Sequence, residues 1–157
     1  MDCEEAFLRP HEASANLVLP AVLAAKAAAD PGKRLYLFLT GEDQTEEITY
    51  GQIHRNAIRI AMELKAKTQS GDRVALLYPP GPHYIAAFVA CLVAGVVPVP
   101  CYPPRNARQA ERTRKVIDDC TPALALTAPG DAARMRGFVE CPNWSEVGYE
   151  AQSVAPT

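Results

Sequence analysis

The stretch LLYPPGPHYIAAFVACLVAGVVPVPCYPPR, residues 76–105, holds the longest apolar run of the chain and carries a Tyr-Pro-Pro triplet near each end. A helix that spans a bilayer needs about 20 predominantly apolar residues. The run from Ile85 to Val99 is shorter, and it is interrupted by Gly95 and Pro98. The stretch is therefore predicted to form a buried helix and a short strand, and no membrane span.

The boundaries of that helix follow from its proline and its glycine. Pro82 suits the first turn of a helix, and Gly95 suits the position just past its end. The segment 85–93 is apolar on almost every side, which predicts a buried helix. On either side of it, RVALLY (73–78) and VVPVP (96–100) are compact apolar segments, as is usual for strands of a parallel sheet covered by helices.

Helices and strands alternate through the rest of the chain. This order predicts the α/β class: a mainly parallel sheet with helices on both faces, preceded by a small N-terminal hairpin. The remaining predicted segments are an amphipathic helix over 16–29, a hairpin made by 34–40 and 46–50, a helix over 49–67, a helix capped by Asn106, a strand over 122–128 and a helix over 131–140.

The pattern divides the chain into three parts. Residues 1–15 are interpreted as an N-terminal extension, and residues 16–140 as a single α/β lobe. Residues 141–157 show no clear period and are predicted to be an irregular tail without a packing role. We interpret this tail as a connection to a further part of a longer protein, at a truncation point.

Composition and charge restrict the class of protein. With 157 residues, 48% of them hydrophobic and 22% charged, the chain suits one globular domain with a core of its own. Its net charge of -2 supplies no long-range attraction for nucleic acid. Five cysteines without a C-x-x-C pair, behind an N-terminus that lacks the order of a secretory signal, predict reduced thiols in the cytoplasm.

Two Tyr-Pro-Pro turns mark the predicted ligand edge of the sheet. In open α/β sheets, ligands bind beyond the carboxyl ends of the strands, where Tyr78, Pro79, Pro80 and Tyr102 lie. Proline lacks a backbone donor and fixes φ, so these turns are stiff and poorly suited to cradling phosphate. Two interpretations stay open: the turns line a pocket wall, or they end the strands and face nothing in particular.

A basic run from Arg105 to Lys115 follows the second turn. Arg108 and Arg112 share a helix face at i, i+4 spacing and, with Arg105, are candidates to face a phosphate-bearing partner. The alternative is a solvated helix in which Glu111 supplies the counter-charge.

The residues that would carry catalysis are missing from the pattern. There is no glycine-rich phosphate loop, and the histidines His11, His54 and His83 are too far apart to suggest a local metal motif. Asp118 and Asp119 diverge on a helix, and no cysteine has a histidine nearby. We therefore assign no catalytic, cofactor-binding or metal-binding residue.

Three segments together carry a family resemblance. ITYGQI (48–53), GDRVALLYPPGPHYIAAFVACLVAGVVPVPCYPPR (71–105) and VIDDCTPALALT (116–127) resemble the N-terminal part of the acyl-adenylate-forming enzymes. The two Tyr-Pro-Pro turns look most like those of the fatty acyl-AMP ligases. The resemblance covers about residues 17 to 144 and implies the first lobe of the large N-terminal subdomain.

The resemblance also implies a function for a parent enzyme. Members of this family activate a fatty acid with ATP and Mg²⁺ to an acyl-adenylate and then load an acyl carrier protein, in lipid, polyketide or lipopeptide synthesis. The phosphate loop and the catalytic lysine of the family find no counterpart here, so the isolated chain is expected to be inactive.

Three hypotheses about the function of the chain remain open. The first is the N-terminal fragment of a fatty acyl-AMP ligase, whose partners are the rest of the enzyme and a carrier protein. The second is a standalone non-catalytic module for docking or homo-oligomerisation. The third, an unrelated Rossmann-like nucleotide binder, is disfavoured because the glycine loop is missing.

Overall fold

The computed structural model describes residues 18–151, and in that range the chain alternates between helices and strands. The elements in chain order are α1 (Leu19–Ala29), β1 (Arg34–Leu39), β2 (Thr45–Thr49), α2 (Tyr50–Lys67), β3 (Arg73–Leu77), α3 (Pro82–Ala94), β4 (Val97–Cys101), α4 (Ala107–Cys120), β5 (Leu124–Thr127), α5 (Ala132–Arg136) and β6 (Trp144–Glu146).

Four strands form one parallel sheet in the order β4-β3-β5-β6. At its end Leu77 of β3 lies between Cys101 of β4 and Thr127 of β5, and Thr127 lies opposite Glu146 of β6. The carboxyl ends of all four strands therefore meet at one edge, which we call the carboxyl edge.

Alternate residues of a strand point to opposite faces of the sheet. Because both faces are apolar here, helices cover both of them. Val74 and Leu76 belong to the core under α2 and α3, whereas Ala75 and Leu77 belong to the core under α4 and α5. The α/β class, the parallel sheet and the helices on both faces are thus confirmed.

Local sequence fixes where the helices begin and end. The Thr49 hydroxyl accepts a hydrogen bond from the Gln52 amide at 3.2 Å, and the Gln52 side chain accepts one from the Thr49 amide at 2.8 Å, which makes a capping box for α2. Asn106 caps α4 by accepting from the Gln109 amide at 3.0 Å. Gly95 ends α3 in the left-handed conformation, with φ of 76°.

The predicted hairpin is also present, as the antiparallel pair β1–β2. Ile48 of β2 is fully buried and joins the core under α2. On β1, by contrast, Tyr36 and Leu37 are 40% and 48% exposed, and Leu39 is 80% exposed. One strand of the hairpin therefore presents apolar side chains to solvent.

Two prolines lie in β4, which is an edge strand of the described sheet. The Val97 amide donates to the Asp72 carbonyl at 2.8 Å, so the peptide groups of Val97 and Val99 face β3. Peptide groups of alternate residues point to opposite sides of a strand, so Pro98 and Pro100 face the open edge, where no N–H is needed.

The prediction of an irregular tail from residue 141 onward was wrong for its first part. Residues Trp144–Glu146 form β6, which pairs with β5, and the Val147 amide donates to the Thr127 carbonyl at 3.0 Å. A strand of three residues is too short to show an alternating pattern in the sequence. It forms because it pairs with β5. The predicted extension 1–15 and residues 152–157 lie outside the described residues.

The last helix is shorter than the predicted 131–140. It spans only Ala132–Arg136, because Gly137 follows and Val139 turns into the core under α5. Between Val18 and Ala151, no helix has the length and apolarity needed to cross a membrane.

Candidate functional site at the carboxyl edge

The carboxyl edge brings the two Tyr-Pro-Pro turns side by side, since β3 and β4 are neighbours. Tyr78 follows β3 directly, and Tyr102 follows β4 directly. The two tyrosines nevertheless differ in environment: Tyr78 is 3% exposed and Tyr102 is 63% exposed.

Tyr78 points into the core and not into a groove. Its hydroxyl donates a hydrogen bond to the Val147 carbonyl at 2.8 Å, at a fully buried contact. Burial raises the pKa of the Tyr78 phenol far above its usual range, and the nearby Cys91 and Glu63 add to this. The residue is therefore neutral and ties β3 to the segment after β6. Pro79 and Pro80 beside it are exposed.

Tyr102 lies in a groove between the end of β4 and α4. The groove has a volume of about 460 Å³. The Thr113 hydroxyl donates to the Tyr102 carbonyl at 3.0 Å and so fixes α4 against the strand end. The groove is lined by Pro100, Cys101, Tyr102, Gln109, Arg112, Thr113 and Val116.

Of the predicted site residues, the structure brings Tyr102, Arg105, Arg108 and Arg112 to one side of α4 and leaves Tyr78 in the interior. All three arginines are exposed, and only Arg112 lines the groove. Glu111, the expected counter-charge, pairs with Lys115 at 3.2 Å. A phosphate-bearing partner for these arginines stays a prediction.

The cysteine thiols are not arranged as nucleophiles. Burial raises the pKa of the Cys91 thiol to about 12 and, with Cys120 and Cys141 nearby, that of the Cys101 thiol to about 11. Burial also raises the pKa values of Cys120 and Cys141. A thiolate is the reactive form, so the raised pKa values keep these four thiols mainly in the less reactive protonated form at neutral pH.

The described residues also offer no evident metal centre. Between Val18 and Ala151, no three side chains of His, Cys, Asp or Glu come together in a way that could hold a metal ion.

One cluster at the carboxyl edge escaped the sequence analysis. Side chains from α2, from α3 and from the residue after β3 bind the backbone of residues 147–150, and we call them the clamp. Asn56 Oδ1 accepts a hydrogen bond from the Glu150 amide at 2.8 Å, and Asn56 Nδ2 donates one to the Glu150 carbonyl at 3.1 Å. His83 Nδ1 accepts from the Tyr149 amide at 2.9 Å.

Arg59 and Tyr78 complete the clamp. Arg59 donates to the Gly148 carbonyl and to Asn56 Oδ1, and it pairs with the Glu150 carboxylate at 3.4 Å. The hydrogen bonds of the clamp to residues 147–150 join residues 66 to 94 positions apart in sequence, so no local pattern predicts them. The one sequence signal is Gly148, an isolated glycine in an otherwise strand-like segment.

Comparison with known proteins identifies the family of this lobe. The profile of the AMP-binding enzymes matches residues 23–153. The chain belongs to the AMP-binding enzyme family. A fatty-acid–CoA ligase of Mycobacterium tuberculosis, fadD25, is 36% identical over 114 residues, which are 70% of this chain and 20% of the relative. The 4-hydroxyphenylalkanoate adenylyltransferase of the same organism is 38% identical over 107 residues, 65% of this chain and 17% of the relative.

A solved AMP-binding enzyme shares the fold as well. The fatty acyl-adenylate ligase of L. pneumophila, crystallised with acyl adenylate and pyrophosphate, is 31% identical with a TM-score of 0.71. The match covers 79% of this chain and 22% of that protein. The resemblance to the N-terminal part of a fatty acyl-AMP ligase is confirmed. The chain spans about a fifth of the length of the curated relatives it matches.

Proposed function

We propose that the chain is the N-terminal lobe of a fatty acyl-AMP ligase. The whole enzyme would activate a fatty acid with ATP to acyl-AMP and pass the acyl group to the phosphopantetheine thiol of an acyl carrier protein. The observation that carries the proposal is the match of residues 23–153 to the AMP-binding family, with the two Tyr-Pro-Pro turns at the ends of adjacent strands.

The role of this lobe in such an enzyme is structural support. Its four described thiols are protonated, and its described acidic side chains form no cluster for Mg²⁺. The family resemblance implies that ATP and Mg²⁺ are held mainly by parts of the enzyme other than residues 18–151. The isolated chain is expected not to adenylate a fatty acid.

Two assays test the two halves of this proposal. In the first, the isolated chain is given ATP, Mg²⁺ and octanoic, dodecanoic or palmitic acid, and pyrophosphate release is measured. We expect no release above a blank without protein, and turnover by the chain alone would contradict its supporting role.

In the second assay, residues 18–151 replace the matching segment of the L. pneumophila fatty acyl-adenylate ligase. A chimera that folds should form acyl-AMP from a fatty acid that the unaltered ligase is first shown to accept in the same assay. If the chimera shows the same cooperative thermal unfolding as the unaltered ligase but forms no acyl-AMP, the lobe does not belong to this function.

A second candidate is a non-catalytic module that docks or oligomerises. The observation in its favour is the apolar surface of β1, where Leu39 is 80% exposed. Exposed apolar surface favours association. Such a module would form a defined oligomer at micromolar concentration, which light scattering measures.

A further inference from the structure

We propose that the surface made by the outer face of α4 and the segment before it docks an acidic amphipathic helix of a partner protein; its residues are Tyr102, Arg105, Arg108, Arg112 and Val116. We call these five residues the arginine face. The proposal goes beyond the ligase function, because it requires only that the lobe is folded.

The first observation is that the three guanidinium groups are uncompensated. None of the three forms an ion pair or a side-chain hydrogen bond with another residue in the range 18–151. Elsewhere in the lobe, Arg34, Arg59 and Arg134 pair with carboxylates. Arg136 lies over the Trp144 ring, and Arg55 is a single arginine without an ion pair, whereas the arginine face gathers three. Arg73 and Arg114 donate to main-chain carbonyls.

The second observation is where these charges lie on the helix. Arg105 precedes α4 and Arg108 lies in its first turn, and that turn contains no acidic residue. The N-terminus of a helix carries a partial positive charge, so cations there disfavour the helix. Arg105 and Arg108 at this end therefore do not serve the stability of α4, and an anionic partner would relieve the repulsion among them and Arg112.

The third observation is that the arginines stand on a fixed scaffold. Asn106 caps the helix, and the Gln109 side chain accepts a hydrogen bond from the Arg105 amide at 2.9 Å. Thr113 holds the helix to the Tyr102 carbonyl. The backbone that carries the charges is therefore ordered before any partner binds, which lowers the entropic cost of association.

An apolar strip adjoins the charges. Tyr102 is 63% exposed and Val116 is 42% exposed, and both line the groove of about 460 Å³. Tyrosine and arginine are the residues that most often dominate protein interfaces. A row of guanidinium groups next to an apolar groove matches a helix with carboxylates on one stripe and leucines on the next.

A small phosphate ligand fits this surface less well. Pro103 and Pro104 have no amide donors, and the amides of Arg105 and Gln109 already donate to side chains. Helix N-termini bind phosphate through free amides, and between Pro103 and Gln109 only those of Asn106, Ala107 and Arg108 are left for this. From Arg105 to Arg112 the charges extend over roughly 10 Å, the length of two helical turns, which a row of carboxylates spans and one phosphate does not.

The test measures the binding of three synthetic helical peptides to the 157-residue chain. The first has glutamates at i, i+4 and i+7 and leucines on the adjoining stripe. The second has glutamine in place of glutamate. The third has the composition of the first, with the glutamates spread around all sides of the helix. Affinity is measured by fluorescence anisotropy at low and high salt.

We expect the first peptide to bind at least about tenfold more tightly than the other two, with an affinity that falls as salt rises. The variant R105E/R108E/R112E should lose this preference, and Tyr102→Ala should weaken the first peptide. The matched control is Lys65→Glu on α2, an exposed lysine away from the arginine face with the same change of charge, which should change the affinity less than about twofold.

Three results would overturn the proposal. The scattered peptide could bind as tightly as the first, which would show attraction without geometry. The triple variant could bind like the original chain. Inorganic pyrophosphate could bind with the same arginine dependence and displace the peptide, which would make the surface a small-anion site. If the triple variant does not fold, as judged by circular dichroism, the single variants Arg105→Gln, Arg108→Gln and Arg112→Gln decide the question.

Discussion

At the scale of single residues, Gly148 illustrates how the clamp determines sequence. A Cβ atom at this position would lie 2.8 Å from His83 Cε1 and 3.0 Å from Pro129 Cδ. His83 is held by its hydrogen bond from the Tyr149 amide and cannot retreat without losing that bond. Only glycine allows the backbone to pass this close to the imidazole.

We therefore expect Gly148→Ala to lower the free energy of unfolding by about 2 kcal/mol, the usual cost of an overpacked contact. The matched control is Gly41→Ala, where the nearest atom to the new Cβ belongs to Gln44 at 3.7 Å. That change should alter stability by less than about 0.5 kcal/mol. Urea unfolding followed by circular dichroism measures both, and equal effects would contradict the described packing of Gly148 on His83.

The sequence predicted the positions of individual residues only in part, and their role in a site stays a prediction. Tyr102, Arg105, Arg108 and Arg112 lie together because they are close in sequence, and Asn106 caps the helix as predicted. The interior position of Tyr78 depends on its bond to Val147, 69 positions away. Such a contact is decided by tertiary packing, which no local pattern contains.

At the scale of elements, the helices were more predictable than the last strand. α2 and α3 carry their own boundaries in Thr49, Pro82 and Gly95. β6 has three residues and depends on hydrogen bonds from β5. Its formation follows from the partner strand, so residues 144–146 give no sign of it when taken alone.

The β1–β2 hairpin is the element that should govern self-association. Leu37 and Leu39 are exposed on β1, and an apolar strand at the edge of a small sheet favours pairing with another chain. We expect the double variant L37K/L39K to lower the average mass in light scattering at about 100 µM protein to that of a monomer.

The control for the hairpin is Met62→Lys on α2, which is 70% exposed and lies outside the hairpin. This change should leave the average mass as it is in the original chain. A clean monomer of the original chain at the same concentration would contradict the expectation that the hairpin drives association.

At the scale of the whole molecule, the buried thiols make stability depend on alkaline pH. The pKa of Cys91 is raised from 9.0 to about 12 and that of Cys101 from 9.0 to about 11, both mainly by burial. Above about pH 9 the unfolded chain releases these protons, whereas the folded chain keeps them. The contribution of the two protonated thiols to the free energy of unfolding is therefore fully present below about pH 9. It is lost as the pH rises from there through the pKa values of the folded state.

Each thiol should lower the free energy of unfolding by about 1 kcal/mol for each pH unit above 9. Urea unfolding under reducing conditions at about pH 8 and about pH 10 measures the loss. Cys101→Ala should reduce this dependence without abolishing it, because the pKa values of Cys91, Tyr78, Cys120 and Cys141 are raised as well. A free energy of unfolding that stays constant between the two pH values would show that the thiols are exposed to water.

The alternation of strands and helices predicted the class of the fold, and the strand order came only with the structure. β3 is central because both β4 and β5 pair with it. The apolar character of 73–78 predicts burial on both faces, and it does not say which strands flank it. That choice depends on how α3 and α4 return the chain to the sheet.

The prolines of β4 limit the addition of a further strand at the open edge of the sheet. At its open edge, β4 offers carbonyl acceptors at Pro98 and Pro100 and no donors, so an arriving strand could form only half of its ladder. Fibrils propagate by completing that ladder copy after copy. Pro98 and Pro100 thus disfavour aggregation by strand addition at this edge. The neighbouring side chains of α4 stay accessible to a partner.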